Sequence, residues 1–192
     1  MGAKNKDIEK FADILMKGTE GLFAERAEIK FSKPSEKIRG TIVEYQGKIQ
    51  ADGMEKFNNE AAYVSAVNYY LNAADMAKKK AVGALIVYVP QNYMAKLMKH
   101  LKYPPVDDEN ENALLDSCGT LCNILAGRFK SEISAAGYIE LEMSHFKTYR
   151  NNAVPGVDFC PSEFDFYTVN YYLENEKRMV FDMTMGIVPP RK

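Results

Sequence analysis

One uninterrupted stretch, about 109–136, repeats Leu114, Cys118, Leu121, Leu125 and Phe129 at helical spacing between an acidic linker and a glycine. At about 100° per residue these five side chains share a narrow arc. The stretch is therefore predicted to be a long helix with one face that must be buried against another layer. Asp107, Asp108, Glu109 and Glu111 place negative charge at its start, where the helix dipole favours it. Gly137 suits the left-handed residue that ends such a helix. A shorter helix is expected just before it, over 91–101, from Tyr93, Met94, Leu97, Met98 and Leu101, stopped by Tyr103-Pro104-Pro105.

The layer beneath these helices is expected to be a sheet. Residues 61–71 and 81–89 are rich in β-branched and aromatic side chains, and three further strand candidates follow at 139–149, 163–173 and 178–188. In the last of these, Met179, Phe181, Met183, Met185 and Ile187 alternate with Arg178, Asp182 and Thr184, the pattern of a half-buried strand. Before them, Ile8, Phe11, Ala12, Leu15, Leu22 and Phe23 predict an amphipathic helix over about 7–26. Short strands are expected at 27–31 and 38–45, with turns at Gln46-Gly47 and Asp52-Gly53. The lysines at 78–80 read as a solvated turn. Helix, strands, two helices, strands is an α+β order, an antiparallel or mixed sheet covered by helices. The regular alternation and glycine-rich first turn of a doubly wound nucleotide fold are missing. With 192 residues and no internal repeat, a single domain over 1–192 is expected.

Charge and cysteine usage exclude several classes. Lys plus Arg number 25 against 26 Asp plus Glu, a formal net charge of −1, which supplies no basic excess for capturing nucleic acid. The strongest apolar run, 81–89, is far shorter than the roughly 20 residues that cross a bilayer, so no membrane insertion is expected. The first ten residues lack the apolar stretch of a secretory signal, and Lys6 stands where a myristoylation site has Ser or Thr. A cytoplasmic protein is expected. Three cysteines imply no disulfide framework, and with only His100 and His145 beside them no zinc site or other metal is expected. Cys118 lies in the apolar arc and Cys122 at its margin; both read as small buried hydrophobes, since no basic group within a turn would stabilise a thiolate. Neither histidine sits near a nucleophile-elbow pattern; His145 reads as structural and His100 as a partner of its own helix's carboxyl end.

Across the long helix from its apolar arc, Asp116, Thr120, Asn123 and Gly127 fall within about 60° of one another by the same helical arithmetic. The segment Leu115-Asp116-Ser117-Cys118-Gly119-Thr120-Leu121-Cys122-Asn123-Ile124-Leu125-Ala126-Gly127 resembles the signature helix of the CheC/CheX/FliY family of chemotaxis phosphatases. That family's pattern is Asp or Ser, three residues, Glu, two residues, Asn, then a small pair. Asp116, Asn123 and Ala126-Gly127 fill those places, and Thr120 stands where the glutamate is expected. The order of elements over about 63–188 is CheX-like, and 7–31 looks like the family's leading helix and first strand. The 38–60 segment is longer than the pattern and reads as inserted strands.

The resemblance implies a protein of chemotaxis and two-component signalling that docks on a CheY-type response-regulator receiver domain and hydrolyses its aspartyl phosphate. Asn123 would be the catalytic, water-positioning residue, and Asp116, Thr120 and Gly127 would meet the partner. No cofactor of its own is implied, since magnesium belongs to the receiver. Thr120 cannot make the glutamate's charge pair, so weakened phosphatase activity is one expectation and a non-hydrolysing adaptor that holds a signalling or flagellar-switch partner is the other. With a single signature copy the resemblance is to the CheX-like members, which implies a homodimer through sheet edges; the aromatic-rich strand of Phe164, Phe166, Tyr167, Tyr171 and Tyr172 is consistent with that and equally with core packing.

Overall fold

The structure, a computed structural model, describes residues 5–27, 30–150 and 156–192. In chain order the elements are α1 (Ile8–Arg26), β1 (Glu36–Thr41), β2 (Glu44–Tyr45), β3 (Lys48–Ile49), α2 (Gly53–Lys56), β4 (Ala62–Tyr70), α3 (Ala73–Ala77) and β5 (Gly83–Pro90). They continue with α4 (Met94–His100), α5 (Glu111–Ala135), β6 (Glu142–Met143), β7 (Lys147–Arg150), β8 (Asp165–Tyr172) and β9 (Arg178–Met185). Seven strands form one sheet in the order β1-β8-β9-β5-β4-β6, with β7 also on β4, and every described pairing in it is antiparallel. The architecture is the expected α+β one.

Alternation along the central strands decides what covers each face. Val67, Tyr69, Leu85, Val87, Val169, Phe181 and Met183 point to one side, where they meet the apolar faces of α1, α4 and α5 in a single core. Full burial of each such side chain contributes about 1.5–3 kcal/mol. Val64, Ala66, Ala84, Ile86, Tyr88 and Val180 point to the other side and are covered by Ala51, Phe57 and Val157. The extra 42–60 segment is thus the roof of the second sheet face, which explains why β4 and β5 carry apolar residues at consecutive positions and not at alternate ones.

An ion pair fastens that roof. Lys56 at the end of α2 reaches Asp182 of β9 at 2.7 Å, and the same carboxylate accepts hydrogen bonds from Tyr88 at 2.8 Å and Thr168 at 2.6 Å. Burial and the neighbouring Asp182 carboxylate hold the Tyr88 phenol well above its ordinary range, so it remains a donor. Just before β8, the buried Glu163 carboxylate accepts the backbone N–H groups of Asn5, Phe164 and Asp165, which sets the entry of α1.

Several boundaries differ from the sequence reading. Of the strand expected at 27–31, residues 28–29 lie outside the described residues and 27, 30 and 31 belong to no strand. The strand expected at 38–45 is two pieces, β1 in the main sheet and β2 in a separate hairpin with β3 whose turn is Gln46-Gly47. Asp52 begins α2 instead of a turn, because its carboxylate accepts from the Met54 and Glu55 amides at 2.9 and 3.4 Å. Asn72 caps α3 in the same way, a short helix the sequence reading passed over. The strand expected at 139–149 is broken into β6 and β7. Ile187 is 49% exposed because β9 stops at Met185, before the alternation reaches it. β8 lies between β1 and β9 and offers no sheet edge; of its aromatic run Tyr167 and Tyr171 are buried in the core, Phe166 and Tyr172 are half-buried, and Phe164 just before it is 55% exposed. Among the described residues, no helix is long and apolar enough to cross a membrane.

Removing the Asp182 carboxylate would leave Lys56 and two hydroxyls without their shared acceptor. Asp182→Ala is expected to destabilise the fold by about 3 kcal/mol, read as a lowered midpoint in urea, whereas Lys56→Met is expected to cost less than half of that.

Candidate functional site

The long helix is α5, started by Asn110, whose side chain accepts the Ala113 amide at 3.1 Å, and ended at Gly137 with φ +94°. Its inner side is sealed: Leu114, Cys118, Leu121, Cys122, Leu125, Phe129 and Ile133 are all buried. Tyr69 of β4 donates to the Ala126 carbonyl at 3.1 Å and packs edge-on against Phe129, fixing the helix's rotation on the sheet. Cys122 is inside the seal and not at its margin. Burial pushes its thiol up to about 12 and Cys118 well above the usual thiol range, so both are buried apolar groups, as expected.

Sealing one side of α5 turns the other outward. Asp116 and Asn123 are exposed and Thr120 and Gly127 half-buried, so all four predicted site residues lie along one accessible ridge. Among the described residues, no side-chain partner engages Asn123, Thr120 or Asp116. A Cβ at Gly127 would meet nothing within 4 Å, which leaves a flat floor beside the carboxamide. Ion pairs brace the ridge on both flanks: Arg150 of β7 to Glu111 at 2.6 Å, Lys130 to Glu140 at 3.3 Å, and Arg128 to Glu25 of α1 at 3.3 Å. An amide at such a crest can hold a water through its carbonyl and NH2 without titrating.

The sequence reading missed two residues. Gly119 is buried inside the signature segment, and a Cβ there would overlap Phe146, with three ring carbons at 2.8 Å or less. Phe146 follows β6 and lies over the helix at that level. The signal was present, since a glycine inside a helix costs about 0.5–1 kcal/mol relative to alanine and is retained where another group approaches closely.

The remaining candidates fall elsewhere. His100 contacts the Glu174 carboxylate at 3.2 Å instead of its helix's carboxyl end, in a cluster with Tyr93 and Lys96. His145 is exposed between β6 and β7, outside any strand. Among the described residues, no group of three or more His, Cys, Asp or Glu is placed to hold a metal ion. A cavity of about 170 Å³ beside Lys56, Tyr88 and Asp182 lies under the 42–60 roof, on the sheet face away from α5.

No protein-family model matches the sequence, and no curated protein matches it. Solved structures share the fold. A putative chemotaxis protein from Desulfovibrio vulgaris Hildenborough aligns with a TM-score of 0.58 at 12% identity, covering 91% of this chain and 96% of that one. FliY from Thermotoga maritima aligns at 0.56 and 14% identity over 97% of this chain and 92% of its own. A chain of the CheX–CheY–BeF3–Mg2+ complex from Borrelia burgdorferi aligns at 0.55 and 10% identity, with 92% and 98% covered. The chain has the fold of the CheC/CheX/FliY chemotaxis proteins.

Opposite responses are expected at the two glycines of α5. Gly119→Ala should lower stability by about 1–3 kcal/mol by overpacking against Phe146, whereas Gly127→Ala should raise it by about 0.5–1 kcal/mol; chemical denaturation of the pair distinguishes them. Thiol labelling of the native protein at pH 8 is expected to modify only Cys160, the half-buried cysteine, and to reach Cys118 and Cys122 on unfolding, as mass spectrometry of the labelled peptides would show.

Proposed function

We propose that the chain is a CheX-like protein of chemotaxis or two-component signalling that docks the α5 ridge on a CheY-type receiver domain and hydrolyses its aspartyl phosphate. The observation that carries this reading is the exposed, unengaged Asn123 carboxamide at the crest of the ridge, in line with Asp116, Thr120 and Gly127. An acyl phosphate is already labile, so holding one water in line with the departing carboxylate supplies much of the acceleration. Asn123 orients that water, Gly127 lets the partner's backbone approach, and Asp116 and Thr120 contact the receiver. The Borrelia burgdorferi relative of the fold was solved with CheY, which supports a receiver as the partner here. Magnesium would belong to the receiver, this chain bringing no cofactor of its own, and the reaction is placed in the cytoplasm.

Thr120 favours a second reading. Without the family's glutamate the ridge lacks one charge-assisted contact, worth about 1.5–3 kcal/mol, and the chain would then serve as an adaptor that binds without turnover. A homodimer is proposed through a sheet edge. β1 presents one such edge, with Ile38 55% exposed on it.

Loss of phosphate from a phosphorylated CheY-type receiver of the same organism tests the reading. Wild type is expected to accelerate it and Asn123→Ala to abolish the acceleration. Thr120→Glu is expected to tighten binding by about one to two powers of ten. Binding by wild type and Asn123→Ala alike, with no change in rate, overturns the phosphatase in favour of the adaptor.

A further inference from the structure

Phe146 reaches α5 through an irregularity in the sheet edge. β6 and β7 both pair with β4, but Met143 stands opposite Tyr69 and Lys147 opposite Ala66. Three residues, Ser144, His145 and Phe146, therefore face two, Val67 and Asn68, which is a β-bulge. Ser144 pins it, its amide donating to the Asn68 carbonyl and its hydroxyl accepting the Asn68 amide, both at 2.9 Å.

The extra residue reverses which side chains face the helices. Met143 packs on the helix side before the bulge, yet Tyr149 packs on the opposite face after it, and Arg150 returns to the helix side to meet Glu111. Without the bulge, Phe146 would point away from α5. With it, the ring lies against the helix at Gly119, the one of the two glycines of α5 where a Cβ would not fit. Gly119 is one turn before Asn123, about 6 Å along the axis and about 40° around it. The ring is half-buried, so it borders the ridge and does not form its crest.

We propose that Phe146 is a positioning residue for Asn123, an apolar wall on the sheet-edge side of the ridge that closes off the carboxamide and its water from solvent when the partner is seated. The inference rests on the docking reading above. A sheet bulge that re-aims one aromatic onto the signature helix, and a helix glycine that receives it, are two departures from regular structure meeting at one place. Such departures cost stability and concentrate beside functional groups. The wall acts on the reacting geometry more than on docking area, so its removal registers in kcat more than in KM.

Steady-state dephosphorylation of a phosphorylated CheY-type receiver by wild type, Phe146→Ala and Phe146→Leu tests this, with thermal melts to confirm that each variant is folded. Phe146→Ala is expected to lower kcat by about tenfold or more while KM stays within about twofold, and leucine is expected to recover most of the loss. A folded Phe146→Ala with wild-type kcat, a defect confined to KM, or a leucine variant no better than alanine overturns the inference while the docking reading stands. A wild type that accelerates nothing overturns the phosphatase reading and this inference with it.

Discussion

The sealing of α5 against the sheet is the constraint from which the rest follows. Seven apolar side chains from Leu114 to Ile133 are buried on one side of that helix, and the Tyr69 hydroxyl bond to the Ala126 carbonyl removes its freedom to roll. A helix so fixed has no choice about what it shows to solvent. Asn123 is displayed because Leu121, Cys122 and Leu125 are hidden, and a rotation large enough to bury the carboxamide would expose a core that contributes several kcal/mol. The preorganisation of the ridge is therefore a by-product of ordinary core packing.

The second sheet face shows a different solution to the same problem. A sheet covered on one side only would carry polar residues at every second position, and β5 instead is apolar throughout. The 42–60 segment makes that possible, at the cost of partly burying a charge pair. Lys56 and Asp182 gain little net free energy from each other once desolvation is counted. What they give is registration, because a roof made of a two-stranded hairpin and a four-residue helix has little shape of its own to define where it sits.

Legibility in the sequence followed the length of each periodic signal. α1, α5, β4, β5, β8 and β9 are long enough for several repeats of 3.6 or 2, and their placement was readable from Ile8, Leu114, Val67 or Phe181 and their neighbours. β2, β3, α2 and α3 are too short to establish a period, and α2 and α3 exist through single caps, Asp52 and Asn72, that read equally as turn residues. The predicted ridge was legible because it is the complement of a clear apolar arc. Phe146 was not, because its approach depends on a one-residue excess across a strand pair separated by some 80 positions, a long-range fact that no local window contains. Gly119 was its only local trace.

Thr120 is the place where residue chemistry and fold pull apart. Thr120 is half-buried and no described side chain engages its hydroxyl, so no contact within the chain accounts for a hydroxyl at that position. Under the proposed reading the choice matters in the complex. On that reading, a short, uncharged group at that point leaves Asp116 as the one carboxylate among the four ridge residues, and the close approach over Gly127 and the flanking ring at Phe146 weigh more in this chain than they would beside a glutamate. Neither an amide nor a hydroxyl titrates near neutrality, so under the proposed reading these two ridge groups act by the geometry of their placement and not by a change of protonation.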